Sequence, residues 1–281
     1  MRSAALLPLL ALTLHAQPAA PPPSAQSPDP KSIIQRAFSR QDDLFADARD
    51  YTYLRHQQMK KLDSRGNVTE TETTDHEVTI LYGEPYRKLI RKNGRELSES
   101  EARKEQRKMD DEIAKRGRDQ EKRRREAEKE REETRKALAE VAEAFDWKLD
   151  GQEAIHGRPA WIIRANPRPS YKPRSREARV FTKMSGRLWV DQADSRMLKV
   201  DARVDDTISF GWFLFRIKPG FRFTFELTRL DTNAWLPRHG WLKGEAKIGG
   251  LKTYRVEMDT TFSNYRRFQS DSRIVSTSAS Q

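Results

Sequence analysis

The segments Leu198-Lys199-Val200-Asp201-Ala202-Arg203-Val204, Phe221-Arg222-Phe223-Thr224-Phe225-Glu226-Leu227-Thr228 and Tyr254-Arg255-Val256-Glu257-Met258-Asp259-Thr260-Thr261-Phe262 alternate apolar and polar residues. Successive side chains on a strand point to opposite faces, so each segment presents one apolar row and one polar row. Sheets of such strands are antiparallel, packed on one side and wet on the other. Strand follows strand with short turns from 186 to 268, which predicts a meander rather than βαβ units. The expected fold class is α+β, a strongly curved antiparallel sheet. Its dry side needs a cover, which can be helices, a second sheet or an apolar ligand.

Toward the N-terminus the same period gives strands over 51–62, 68–82 and 86–91, punctuated by Asp63-Ser64-Arg65-Gly66-Asn67 and by Asn93-Gly94. Residues 30–48 read as a helix capped by Asp29, with Pro30 in its first turn. Its residues Ile33, Ile34, Ala37, Phe38, Leu44 and Phe45 fall on roughly one side, so it should lie against the sheet. Residues 98–146 form a long charged helical insertion that opens with Ser98 and Glu101 spaced as a capping box. Gly117 marks a bend. Between 115 and 136 the only apolar residue is Ala127, so that span has no stripe with which to pack and should project into solvent as a hairpin. A coiled coil or partner-binding arm is the other reading, but sustained apolar a and d positions are missing. A further hairpin is expected around Gly151 and Gly157, followed by a proline-broken basic loop over 166–177.

The start of the chain reads as an export signal over 1–16: Arg2, an apolar core over 4–14, then His15-Ala16. That core is shorter than the roughly 20 apolar residues that span a bilayer. A proline-rich leader over 17–30 follows, then a β-domain over 31–275 and a polar tail over 276–281. Cysteine is absent, so neither a disulfide nor a lipid-bearing cysteine is expected. The reading is an exported, soluble periplasmic protein. Acids and bases nearly cancel within 98–146, so the net charge of +12 sits on the β-rich body. Such a field favours anionic partners, here a membrane surface rather than nucleic acid.

Catalytic signatures are missing: no nucleophile elbow, no phosphate-binding glycine loop and no dinucleotide fingerprint. His56, His76, His156 and His239 are scattered, which argues against a metal site. The expectation is a non-enzyme without cofactor or metal. One run breaks the alternation: Ile208-Ser209-Phe210-Gly211-Trp212-Phe213-Leu214-Phe215 is apolar on both faces. It fits a doubly buried strand, and equally the mouth or lining of an apolar cavity.

Gly186-Arg187-Leu188-Trp189-Val190-Asp191 and Trp235-Leu236-Pro237, set behind an N-terminal helix and long antiparallel strands, resemble the outer-membrane lipoprotein-sorting superfamily, LolA/LolB-like. The resemblance covers roughly 31–268 apart from the charged insertion. It implies a half-open barrel, lidded by helices, whose apolar face shelters acyl chains of a lipid or lipoprotein. Burial at about 25 cal/mol per Å² makes an acyl chain a favourable occupant. The candidate lining is Phe210, Trp212, Leu214, Phe221, Phe223, Phe225, Val256 and Met258. The expected function is a carrier of lipid or lipoprotein acyl chains. The alternative is a structural or partner-binding envelope protein with a dry core, whose helical insertion meets a partner protein.

Overall fold

The computed structural model describes residues 28–39, 47–210, 215–230, 234–249 and 252–267, and of Phe210 the backbone only. The signal and leader over 1–27, Trp212, Leu214 and the tail lie outside the described residues. So does 40–46, within the helix expected over 30–48.

In chain order the elements are α1 (Pro30–Ser39), β1 (Tyr51–Leu62), β2 (Val68–Leu81), β3 (Glu84–Lys92), β4 (Arg95–Glu96), α2 (Glu99–Arg118) and α3 (Gln120–Ala144). Then come β5 (Phe145–Ile155), β6 (Arg158–Pro167), β7 (Met184–Asp191), β8 (Met197–Val204), β9 (Ile208–Phe210), β10 (Phe215–Ile217), β11 (Arg222–Arg229), β12 (Trp235–Ile248) and β13 (Lys252–Arg267). Short 3-10 turns occupy Asp47–Asp50 and Glu177–Lys183. The local reasons are those of the sequence. The Asp29 carboxylate accepts from the Ser32 amide at 2.9 Å and caps α1. Asn93 and Gly94 both take positive φ, 48° and 75°, as the tightest hairpin turn requires. The Asp63 carboxylate accepts from the amides of Arg65 at 2.8 Å and Asn67 at 2.9 Å, closing the first hairpin.

The thirteen strands form one antiparallel sheet in the order β4-β3-β2-β1-β13-β12-β11-β8-β7-β6-β5, with β9 and β10 attached beside β12. The sheet is curved and open, and its two edges are β4 and β5. Those edge strands are consecutive in the chain except for α2 and α3, so the helical segment runs from one edge of the sheet to the other. Instead of β4 pairing with β5 to close a barrel, a helical strap joins them. β4 is only two residues long, which leaves little edge to template another chain.

The strap differs from the expected solvated hairpin in two respects. The helix breaks at Asp119 rather than Gly117, and α2 and α3 follow one another instead of packing side by side. Backbone bonds from Asp119 to Lys115 and from Arg123 to Asp119 carry the helical register through the break. The charged span also packs. The Arg116 side chain is buried and donates to the carbonyls of Leu81 at 3.1 Å and Glu84 at 3.0 Å, and to Glu112 at 2.7 Å. Arg123 pairs with Glu84. Gly117 has a packing role: a Cβ there would sit 2.9 Å from the Tyr82 hydroxyl. Ser98 and Glu101 make the capping box as read.

The main core lies at the β5–β8 end, where α1 and the last turns of α3 cover the sheet. Ile33, Ile34 and Ala37 of α1 meet Val141 and Ala144 of α3 and Ile163, Ala165, Leu188 and Val190 of the strands. Full burial of Ile33 and Ile34 contributes on the order of 2 kcal/mol each.

Candidate functional site

Register carries the apolar rows from this core onto the uncovered middle of the sheet. Directly opposed residues on neighbouring strands share a face. One row reads Trp147–Ala165–Gly186–Ala202–Phe223–Leu242–Met258–Met59, crossing β5, β6, β7, β8, β11, β12, β13 and β1 in turn. The next row on the same face reads Leu149–Ile163–Leu188–Val200–Phe225–Gly240–Thr260–Gln57. Ala165, Ile163 and Leu188 are in the helix-packed core, so both rows lie on the helix-bearing face.

Along the first row burial loosens, whereas in the second Thr260 is buried again beyond the half-buried Phe225. Ala165 and Ala202 are buried, whereas Phe223, Leu242, Met258 and Met59 are all half-buried. The main packing contacts of α3 are with α1, β5 and the Glu177–Lys183 turn, and those of α2 are with β3. Among the described residues, the middle strands therefore carry apolar side chains on which neither helix packs extensively. Two glycines shape this trough. A Cβ on Gly244 would come within 2.5 Å of the Phe221 ring, so the missing side chain lets Phe221 lie over β12. Gly240 stands opposite Phe225, where a Cβ would reach 3.8 Å from the ring.

Of the predicted lining residues, Phe221, Phe223, Phe225, Val256 and Met258 are brought together on or beside these rows, all half-buried. Val256 stands opposite Gly244, under Phe221. Phe225 also packs against a second cluster that includes Leu198, Leu227 and Trp235. Trp212, Leu214 and the Phe210 side chain lie outside the described residues. The β9 backbone, which contains Phe210, pairs with β10 beside β12.

The sequence reading missed the half of the face that β1 and β2 supply. Tyr53, Arg55, Gln57 and Met59 share one side of β1 but mix polarity, so no alternation marks them. Pairing with β13 reveals them: Arg55 faces Phe262, Gln57 faces Thr260 and Met59 faces Met258. On the other side of β1, His76 stands opposite Arg55, and Val78 opposite Tyr53. Arg87 then faces Val78. The Tyr53 ring meets Phe262 edge-on at 6.0 Å and Tyr265 at 5.1 Å. Burial, with Arg87 and Arg55 adding like charge, holds the His76 imidazole below its ordinary range and hence neutral at pH 7. Burial, then Arg87, also lowers the Arg55 guanidinium. The Tyr53 phenol is pushed up by burial, which outweighs the two arginines.

The other face is charged. Arg164 and Arg187 share Asp150, at 2.8 and 3.2 Å, and with Arg203, Arg222 and Asn166 they line a groove of about 400 Å³. Trp189 is on that face as well. It donates to Glu153 at 2.8 Å and lies under the Lys199 ammonium at 5.2 Å. Among the described residues no group of three His, Asp or Glu is placed to hold a metal ion.

No family model matches the chain, and no curated protein matches it. Solved structures do resemble it. A DUF1329 family protein from Desulfovibrio piger aligns over 85% of this chain and 94% of its own at 10% identity, with a TM-score of 0.33. A LolA superfamily protein from Nitrosomonas europaea aligns over 86% and 95% at 11% identity and a TM-score of 0.29. An outer membrane lipoprotein-sorting protein domain from Vibrio parahaemolyticus gives 85%, 94%, 11% and 0.30 for the same quantities. The likeness is one of fold.

Proposed function

We propose that the protein is a non-enzymatic periplasmic carrier that holds lipid or lipoprotein acyl chains along the trough on the helix-bearing face. The observation that carries this reading is the row Phe223–Leu242–Met258–Met59. It continues the packed core without interruption, yet it is half-buried, and among the described residues no helix packs extensively on it. An apolar chain laid there removes more surface from water at about 25 cal/mol per Å². Phe221 over Gly244, together with Val256, extends the trough along β13. The export signal read over 1–16 supports the periplasmic address.

Binding of a fluorescent long-chain fatty acid, with native mass spectrometry of freshly purified protein for retained lipid, tests the reading. Wild type is expected to take up the probe saturably. Phe223→Asp and Met258→Asp are expected to keep a cooperative thermal melt while losing that uptake, because water can reach a carboxylate in an open trough. In a sealed core the same carboxylate would be an unpaired buried charge, and unfolding would result. No saturable uptake by wild type, with both variants unfolded, would leave a dry structural core in place of a carrier.

A further inference from the structure

At the β1–β3 end of the trough the apolar face gives way to cations that no carboxylate of the described residues pairs with. Arg55 on β1 is half-buried, and its hydrogen-bond partner among the described residues is the neutral Gln57 side chain, to which it donates. Arg87 on β3 makes no ion pair among the described residues, whereas Arg91 on the same strand pairs with Asp75. Each arginine is close enough to the other to act on the ionisation of the same groups, His76 and Tyr53. The Nδ1 atom of His76 is buried and has no hydrogen-bond partner among the described residues. The half-buried Arg55 and the exposed Arg87 repel one another through their like charge, and an unpaired buried ring nitrogen is unfavourable. An oxyanion relieves the first condition, since planar guanidinium forks match carboxylate and phosphate oxygens.

The geometry ties this cluster to the trough. Arg55 stands opposite Phe262, and Phe262, Thr260, Met258 and Val256 follow one another on the same side of β13. Six residues of strand cover about 20 Å, so a chain lying along this side starts at the cations and ends over Gly244. The nearest carboxylates are otherwise engaged: Asp75 contacts His56 at 2.5 Å and Arg91 at 3.6 Å, and Glu105 pairs with Lys108 on α2.

We infer that Arg55 and Arg87, with His76 beside them, bind the oxyanion head of an acyl amphiphile, a carboxylate or a phosphate, whose tail lies along the Phe262–Met258–Val256 side of β13. This inference rests on the acyl-chain reading and adds to it a polarity: an anionic head at β1–β3 and a tail toward β12.

The experiment compares a fluorescent long-chain fatty acid with its methyl ester, and inorganic phosphate as a free oxyanion, on wild type and on Arg55→Met, Arg87→Met and Arg87→Lys. The acid is expected to bind wild type about tenfold more tightly than the ester, the usual scale for hydrogen bonds to a charged group. Arg87→Met, at an exposed position, should abolish that preference and leave ester affinity unchanged, Arg55→Met should weaken acid binding more than ester binding, and Arg87→Lys should restore part of the preference. Equal binding of acid and ester by wild type overturns the head-group site while leaving the carrier reading intact. Equal loss of acid and ester in the arginine variants also overturns it, because the arginines would then be shaping the trough and nothing more. If neither lipid binds but phosphate raises the melting midpoint of wild type and not of the variants, the cluster is an oxyanion site and the carrier reading is the one that fails. If phosphate shifts nothing either, both fall.

Discussion

Asp191 is the most completely enclosed carboxylate of the described residues, at 2% exposure. It receives Arg158 through two bonds, at 2.6 and 3.0 Å, and the backbone amides of Ala193 at 2.9 Å and Asp194 at 2.7 Å. Burial pushes this carboxyl up, but the Arg158 bonds and the turn amides outweigh it and hold the group below its ordinary range. Arg158 also reaches Asp194 and lies over the Trp235 ring at 5.3 Å, so the residues that carried the family resemblance, Asp191 and Trp235, act as a structural clasp. Removing one partner of such a pair strands the other, and Arg158→Met is expected to cost about 3 kcal/mol in urea unfolding. Asp191→Asn should show the linkage as well. A carboxyl with a depressed folded-state pKa stabilises fully above its unfolded value, near 3.9, and loses that contribution as pH falls through the folded value. Wild-type stability should therefore drop steeply below about pH 4, and the Asn variant should drop less over that window. Parallel pH profiles for the two proteins would count against Asp191 as the acid-sensitive group. Glu140 is a second contributor. Burial raises it, but the Arg174 amide at 2.8 Å, the Tyr171 hydroxyl at 2.6 Å and the Ser175 hydroxyl at 2.8 Å lower it overall.

Among the elements, the helical strap departs most from expectation. Its charges form pairs at i,i+3 and i,i+4 that stabilise exposed helix by a few tenths of a kcal/mol each. These pairs make it a stiff rod without an apolar stripe. Its fastening is polar near the α2–α3 junction, where Arg116 holds the β2–β3 turn, and apolar at its C-terminal end, where Val141 and Ala144 join the α1 core. Arg116→Met removes the bonds to the Leu81 and Glu84 carbonyls. A loss of about 2 kcal/mol is expected for a buried charged donor, or about 6 °C in melting midpoint at this size. Hydrogen exchange should rise over 99–118 ahead of the strands, since the sheet does not depend on this contact. Unchanged exchange over 99–118 in the variant would mean that the strap is fastened elsewhere.

For the molecule as a whole, the charge is divided between faces. The helix-bearing face is apolar with a cationic end, and the opposite face displays the Arg164, Arg187, Arg203 and Arg222 groove. With a net charge of +12, the body should bind vesicles containing anionic lipid and ignore neutral ones. Co-sedimentation should fall several-fold between low and physiological salt, because exposed charges are screened beyond about 8 Å at 0.15 M. Equal binding to neutral vesicles would point to apolar insertion in place of electrostatic attraction.

Strands, turns and caps were legible residue by residue because each depends on neighbours in the chain: alternation of period two, Asn93-Gly94, and Ser98 with Glu101. The apolar rows of Phe223 and Phe225 were legible for the same reason. The contribution of Tyr53, Arg55, Gln57 and Met59 was not, since their side of β1 becomes a face only when β13, about two hundred residues later, pairs with it. The strap illustrates the same division. Composition marked 98–146 as charged helix, and burial of Arg116 follows from where the β2–β3 turn meets that helix in space. Local periodicity reports which way a side chain points, and register between distant strands determines what it points at.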